Sequence, residues 1–170
     1  MTKLSPVALA RQPGQCSRHG GFTLVELMVG IALLAILLSV AIPSYQSVIA
    51  NQNLGAAAAA LQSAIALTRS EAVKRNGSVS LNPVTTGDWA DGWWIANPAS
   101  PDSALHMERL TGGITIQASG SGALVFNSSG RLAGGLERTF QLESSADEDK
   151  KRCVSVNLDG RPASKAGGCP

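Results

Sequence analysis

The sequence predicts an α+β protein in which one long N-terminal helix, apolar and then amphipathic, packs on a small antiparallel β-sheet or sandwich. Three observations predict it. Phe22 to Ile42 is an apolar run of 21 residues whose only charge is Glu26. From Ser44 to Arg75 apolar residues recur at the 3.6-residue period of a helix. From Ser78 onward the chain changes to short runs separated by Gly, Pro, Asn and Ser, the pattern of strands and turns.

A chain of 170 residues holds one domain with appendages and excludes a large multidomain enzyme. Apolar residues make up 44% of it, but many sit in Phe22–Ile42 and in the alanine block Ala56–Ala60, so the remainder is a small domain. Residues 1–21 hold three cations, Lys3, Arg11 and Arg18, and no acid, so their loss turns the formal charge of +2 into −1. A basic flank before an apolar run stays on the cytoplasmic side of a bacterial inner membrane, which places the bulk of the chain outside.

At 1.5 Å per residue the apolar run spans about 30 Å, the thickness of a hydrocarbon core. A cleavable secretory signal is the competing reading, because Ser39-Val40-Ala41 has small-x-small form. The apolar region of such a signal is shorter and free of acids, so a retained membrane helix fits better.

Gly21-Phe22-Thr23-Leu24-Val25-Glu26 resembles the class III signal of type IV pilins and pseudopilins, and Pro43 also matches that family. The resemblance implies that prepilin peptidase cuts after Gly21 and methylates the new amino terminus at Phe22. The basic leader is then lost and the apolar helix kept. Glu26 gains a physical role from this, since it can pair with the terminal amine of a neighbouring subunit in a low-dielectric bundle. The positive end of the helix dipole lowers the cost of burying it. The alternative is that Glu26 reaches the membrane surface.

Beyond the membrane, Leu61, Ala64, Ile65, Thr68 and Ala72 form a stripe that should face the domain. Arg69, Lys74 and Arg75 suit the carboxyl end of the dipole, and Asn76-Gly77 is a left-handed stop, so the helix should end near Arg75. Pro43 and Gly55 are candidate points of bending.

Seven segments then read as strands: Ser78–Leu81, Gly92–Ala96, Leu105–Leu110, Ile114–Ala118, Leu124–Asn127, Thr139–Glu143 and Cys153–Leu158. Gly112-Gly113 and Gly120-Ser121-Gly122 are turns rather than phosphate cradles. Asp147-Glu148-Asp149 followed by Lys150-Lys151-Arg152 reads as a solvated turn. Of Trp93 and Trp94, one should pack inward and the other should be available at an interface. Phe126-Asn127-Ser128-Ser129-Gly130-Arg131 and the Cys-terminated tail are similar to the GspH/FimT branch of the pilin-like proteins.

Cys16 leaves with the leader and lacks the apolar setting of a lipoprotein site. Cys153 and Cys169 remain, and an even pair in a periplasm-facing domain favours a disulfide over two free or metal-binding thiols. His19 also leaves, so His106 is alone. Without a His-Cys cluster, a nucleophile elbow or a phosphate loop, an enzyme has little support, and neither cofactor nor metal is implied.

The resulting organisation is a cleaved leader at 1–21, a transmembrane helix at 22–42, its amphipathic continuation at 43–76 and a periplasmic β-rich domain at 77–170. The resemblance implies a minor pilin of a type IV pilus, processed by prepilin peptidase, held in the inner membrane and partnered by major and minor pilins. The alternatives are a DNA-binding competence minor pilin, a GspH-type pseudopilin of type II secretion, and a membrane-tethered domain that never polymerises. For DNA the candidate contacts are Arg161 and Lys165. Competence members carry Gly-Arg-x-Arg, whereas Gly160-Arg161-Pro162-Ala163 lacks the second arginine, so DNA should be a weak partner.

Overall fold

The computed structural model describes residues 21–100 and 103–170, and the readings on the leader, including Cys16 and His19, lie outside the described residues. The chain divides into two compact units between Val40 and Ala41.

Helix α1 runs Leu24–Lys74 and continues through Pro43 and Gly55. Thr23 caps it: its Oγ1 accepts the Glu26 backbone N–H at 3.1 Å, and its carbonyl accepts the Leu27 N–H at 3.1 Å. Thr23-x-x-Glu26 is the sequence form of a capping box. In the first unit the apolar side chains of α1 are exposed, and this is the one helix among the described residues long and apolar enough to cross a membrane.

In the second unit α1 buries Leu54, Ala57, Ala58, Leu61, Ala64, Ile65 and Ala72. The predicted stripe therefore faces the core, and full burial of Leu61 or Ile65 is worth about 1.5–3 kcal/mol each. Thr68 joins the stripe because its hydroxyl donates to the Ala64 carbonyl at 2.7 Å, which satisfies it within the helix. The helix stops as expected. Asn76 takes φ 50°, its N–H bonds to Val73 O at 3.1 Å, and Gly77 N–H reaches Ala72 O at 3.1 Å. That double closure is a Schellman motif.

Eight strands follow: β1 Val79–Thr85, β2 Asp88–Ala96, β3 Ala104–Glu108, β4 Ile114–Ala118, β5 Leu124–Phe126, β6 Arg138–Ser144, β7 Asp147–Val156 and β8 Pro162–Ala166. They form two antiparallel sheets, β3-β2-β1-β5 and β4-β6-β7-β8. Buried residues alternate along β4, β5 and β6, and Trp89 meets Phe140 edge-on with ring centroids 4.9 Å apart. Trp93 is buried and Trp94 partly open, as alternation requires.

Several strand limits depart from the sequence reading. The charged segment 147–152 lies within β7 and is not a turn, because Lys151 and Arg152 pair across the sheet with Glu143 and Leu142. The expected tail contains a strand, β8, whose proline and flanking glycines hide its residue-for-residue pairing with β7. β1 continues through Pro83 to Thr85. The partner strand β5 covers Val79–Leu81 alone, so at Pro83 β1 is paired on one side, where a strand tolerates proline.

Candidate functional site

Two regions carry the candidate residues, and the first is the start of α1. Gly21 and Phe22 precede the helix, and Phe22 is 84% exposed. Glu26 lies in the first helical turn with its side chain exposed. Carboxylates in that turn are favoured by unpaired helix N–H groups, so Glu26 stabilises the helix start. Pro43 lies inside α1.

The second region lies within the β-rich unit, where two turns meet. Asn127-Ser128-Ser129-Gly130-Arg131 links β5 to the bridge at Leu132, and Asn157-Leu158-Asp159-Gly160-Arg161 links β7 to β8. Both turns close in the same way. Asn127 N–H bonds to Arg131 O at 3.0 Å and Gly130 N–H to Asn127 O at 2.9 Å, matched by Asn157 to Arg161 at 3.2 Å and Gly160 to Asn157 at 2.8 Å. The chain therefore carries the pattern Asn-x-x-Gly-Arg-x-Ala twice, at 127–133 and 157–163, a repeat the sequence reading missed although it is visible there.

The turns touch. Gly160 sits at φ 78°, and a Cβ there would collide with the Gly130 carbonyl oxygen, so no other residue fits without displacement. Arg69 lies behind both, and its Nε donates to Gly130 O at 2.9 Å. A helix-end cation, read from sequence as a dipole partner, thus clamps a turn 61 residues away.

Arg161 and Lys165 are exposed and share one face of the β8 segment. Arg161 Nε lies 3.4 Å from Asp159 Oδ2. One candidate cation is thus already paired with a carboxylate in its own turn. Cys153 and Cys169 form a disulfide. It sits on the outer side of the second sheet, where Cys169 N–H donates to Gln141 Oε1 at 3.0 Å, Gln141 Nε2 to Glu143 Oε1 at 2.6 Å, and Lys151 Nζ to Glu143 Oε1 at 3.1 Å. The Gln141 hydrogen bond, with help from Lys151, holds the Glu143 carboxyl below the usual glutamate range. Glu71 is lowered in the same direction, chiefly by the hydrogen bond from Arg75.

Residues 57–160 match the family described as Type II transport protein GspH, and residues 16–42 match the prokaryotic N-terminal methylation motif. Among solved structures, the type IV minor pilin FimU of Pseudomonas aeruginosa PAO1 is 26% identical over 70% of this chain and 96% of that one, with a TM-score of 0.61. A second crystal form of FimU gives 26% identity, 69% and 100% coverage and a TM-score of 0.59. The minor pseudopilin EpsH from the Type 2 Secretion System of Vibrio cholerae is 13% identical, covering 67% of this chain and 97% of that one, with a TM-score of 0.53. That last likeness speaks for the fold. Helix, twin sheets, methylation motif and family match agree, and the chain belongs to the GspH family of minor pilins and pseudopilins.

Proposed function

We propose that this chain is a non-enzymatic minor pilin of a type IV pilus, built into the filament or its tip and priming complex. The observation that carries the choice of filament is the likeness to FimU, at 26% identity against 13% for EpsH. In this reading prepilin peptidase removes residues 1–21 at Gly21 and methylates Phe22. Residues 22–42 then hold the chain in the inner membrane, 43–76 continue the helix, and 77–170 lie in the periplasm before assembly with other pilins.

Glu26 is the assembly residue of this reading. It stands four residues after Phe22 and is exposed, so a neighbouring subunit's terminal amine can reach it. The pair forms in a low-dielectric bundle where each charge replaces the other's hydration. The test is Glu26→Ala in a native host. Membrane level should match wild type while incorporation into sheared filaments falls at least about tenfold, the effect of roughly 1.4 kcal/mol. Normal incorporation would overturn the pairing. A deletion strain that keeps its pili but loses type II secretion would move the protein to the secretion branch of the family.

A further inference from the structure

Arg138 opens β6 on the core-facing side of the second sheet, the parity it shares with Phe140 and Leu142. Those two side chains are fully buried hydrophobics, so the same row brings a guanidinium to the border of the core. Its Nη2 donates to Gly120 O at 2.7 Å, and its Nε is enclosed without a partner. Among the described residues it makes no ion pair. Gly120 roofs the group closely: a Cβ there would lie 3.1 Å from Cζ and 3.2 Å from Nε. Burial pushes the Arg138 pKa down, yet an arginine remains charged at physiological pH. A partly desolvated charge without an ion-pair contact is unusual, because burial is costly unless the charge is paired.

Arg138 lines a cavity of about 300 Å³ between residues 119–125 and 132–138. Leu124 and Leu132, both core residues, wall it on the inside. Leu136, 74% exposed, forms an apolar rim.

We propose that this cavity is a recognition site for a single carboxylate borne on a short apolar stem, with Arg138 as the group that binds the carboxylate. Nε is closed off under Gly120, so the planar Nη1–Nη2 edge, with the N–H groups that Gly120 O leaves free, matches the two oxygens of a carboxylate, and the leucines take the stem. Glu137 lines the same cavity, so a dianion such as a phosphate monoester would meet repulsion and one cation only. The volume is that of a group about the size of an amino acid, at the low end for ligand sites. The site uses none of Glu26, the disulfide or Arg161, and it stands whether the filament is a pilus or a pseudopilus. A free or chain-terminal acid and an acidic side chain of a neighbouring subunit offer the same chemistry.

The test titrates the full chain in detergent micelles with three probes. N-acetyl-leucine presents a terminal carboxylate beside an apolar side chain, N-acetyl-glutamic acid α-methylamide presents a side-chain carboxylate, and N-acetyl-leucinamide has no acid. Calorimetry and the Arg138 Nε–Hε resonance report binding. At least one acid should saturate and bind at least about tenfold tighter than the amide, with a shift of that resonance. Tighter binding of N-acetyl-leucine assigns the site to terminal or free acids, and tighter binding of the glutamate probe assigns it to a neighbouring chain. Arg138→Gln should lose at least about tenfold, and Arg138→Lys, which keeps the charge without the fork, should fall between. The proposal is overturned if the amide binds as well as the acids, if neither acid saturates, or if folded Arg138→Gln binds unchanged. Should Arg138→Gln fail to fold, the contrast between acid and amide on the wild-type chain decides alone.

Discussion

Arg69 Nε donates to the carbonyl oxygen of Gly130 at 2.9 Å, and its Cδ lies 3.3 Å from where a Cβ on Gly160 would sit. One helical side chain thus underlies both Asn-x-x-Gly-Arg turns. Arg69→Ala should lower unfolding free energy by about 1–3 kcal/mol, the cost of losing a charged donor from a half-buried carbonyl. Gly160→Ala should cost more than Gly135→Ala. Both positions have positive φ, 78° and 68°, but a Cβ on Gly135 meets nothing within 4 Å. The Gly135 change carries conformational strain alone, about 1 kcal/mol, while the Gly160 change adds at least about 1 kcal/mol of displacement. Denaturant unfolding of the three variants measures these differences, and equal costs for the two glycines would contradict the packing.

Reduction of Cys153–Cys169 should free the β8 edge before the rest of the domain. The bond joins β7 to the segment after β8 across a sequence separation of 16, a closure worth about 3 kcal/mol in the chain-entropy model. Hydrogen exchange should therefore quicken in Pro162–Ala166 on reduction while β1 and β6 keep their protection. Uniform loss of protection across both sheets would show that the disulfide supports the whole core.

Acid should weaken the outer face of the second sheet and the end of α1. Glu143 and Glu71 both titrate below the ordinary glutamate value when folded, so the unfolded chain binds more protons in that range. Their stabilisation is complete above the unfolded value and is lost as pH falls through the folded one. Glu143→Gln should therefore melt below wild type at neutral pH, with the gap closing as pH falls through the folded titration of Glu143. A gap that persists at acid pH would assign the Glu143 contribution to something other than its charge.

DNA binding should be weak. Arg161 is held against Asp159 at 3.4 Å, and Ala163 occupies the place of a second arginine, so few phosphates are neutralised. A fluorescence titration at two salt concentrations should give a dissociation constant above about 10⁻⁴ M at physiological salt. Micromolar binding that falls steeply with salt and disappears in Arg161→Ala would make this tail a nucleic-acid site.

The helix and its stop were legible because their determinants are local. The stripe from Leu61 to Ala72 follows a fixed period, and Asn76-Gly77 carries its own backbone preference. β8 and the second half of β1 were hidden for a different reason. Pro162 and Pro83 punctuate the sequence, and what makes them strand residues is hairpin pairing with the adjacent strand, Val156 of β7 for one and Trp93 of β2 for the other, against the backbone preference of proline itself. Arg69 and Arg138 also escaped notice as structural residues, since a cation on a helix end or strand start reads as solvated until the fold places a carbonyl beside it. The parity of Arg138 with Phe140 and Leu142, and the repeat at 127–133 and 157–163, were the available signals.

The most direct test of assembly as a processed filament subunit is the intact mass of this protein in filaments sheared from a native host. Removal of residues 1–21 and one added methyl group on Phe22 are expected, with the protein enriched in the filament fraction with other pilins. A chain beginning at Ile42, or an unprocessed chain confined to the membrane fraction, would contradict it.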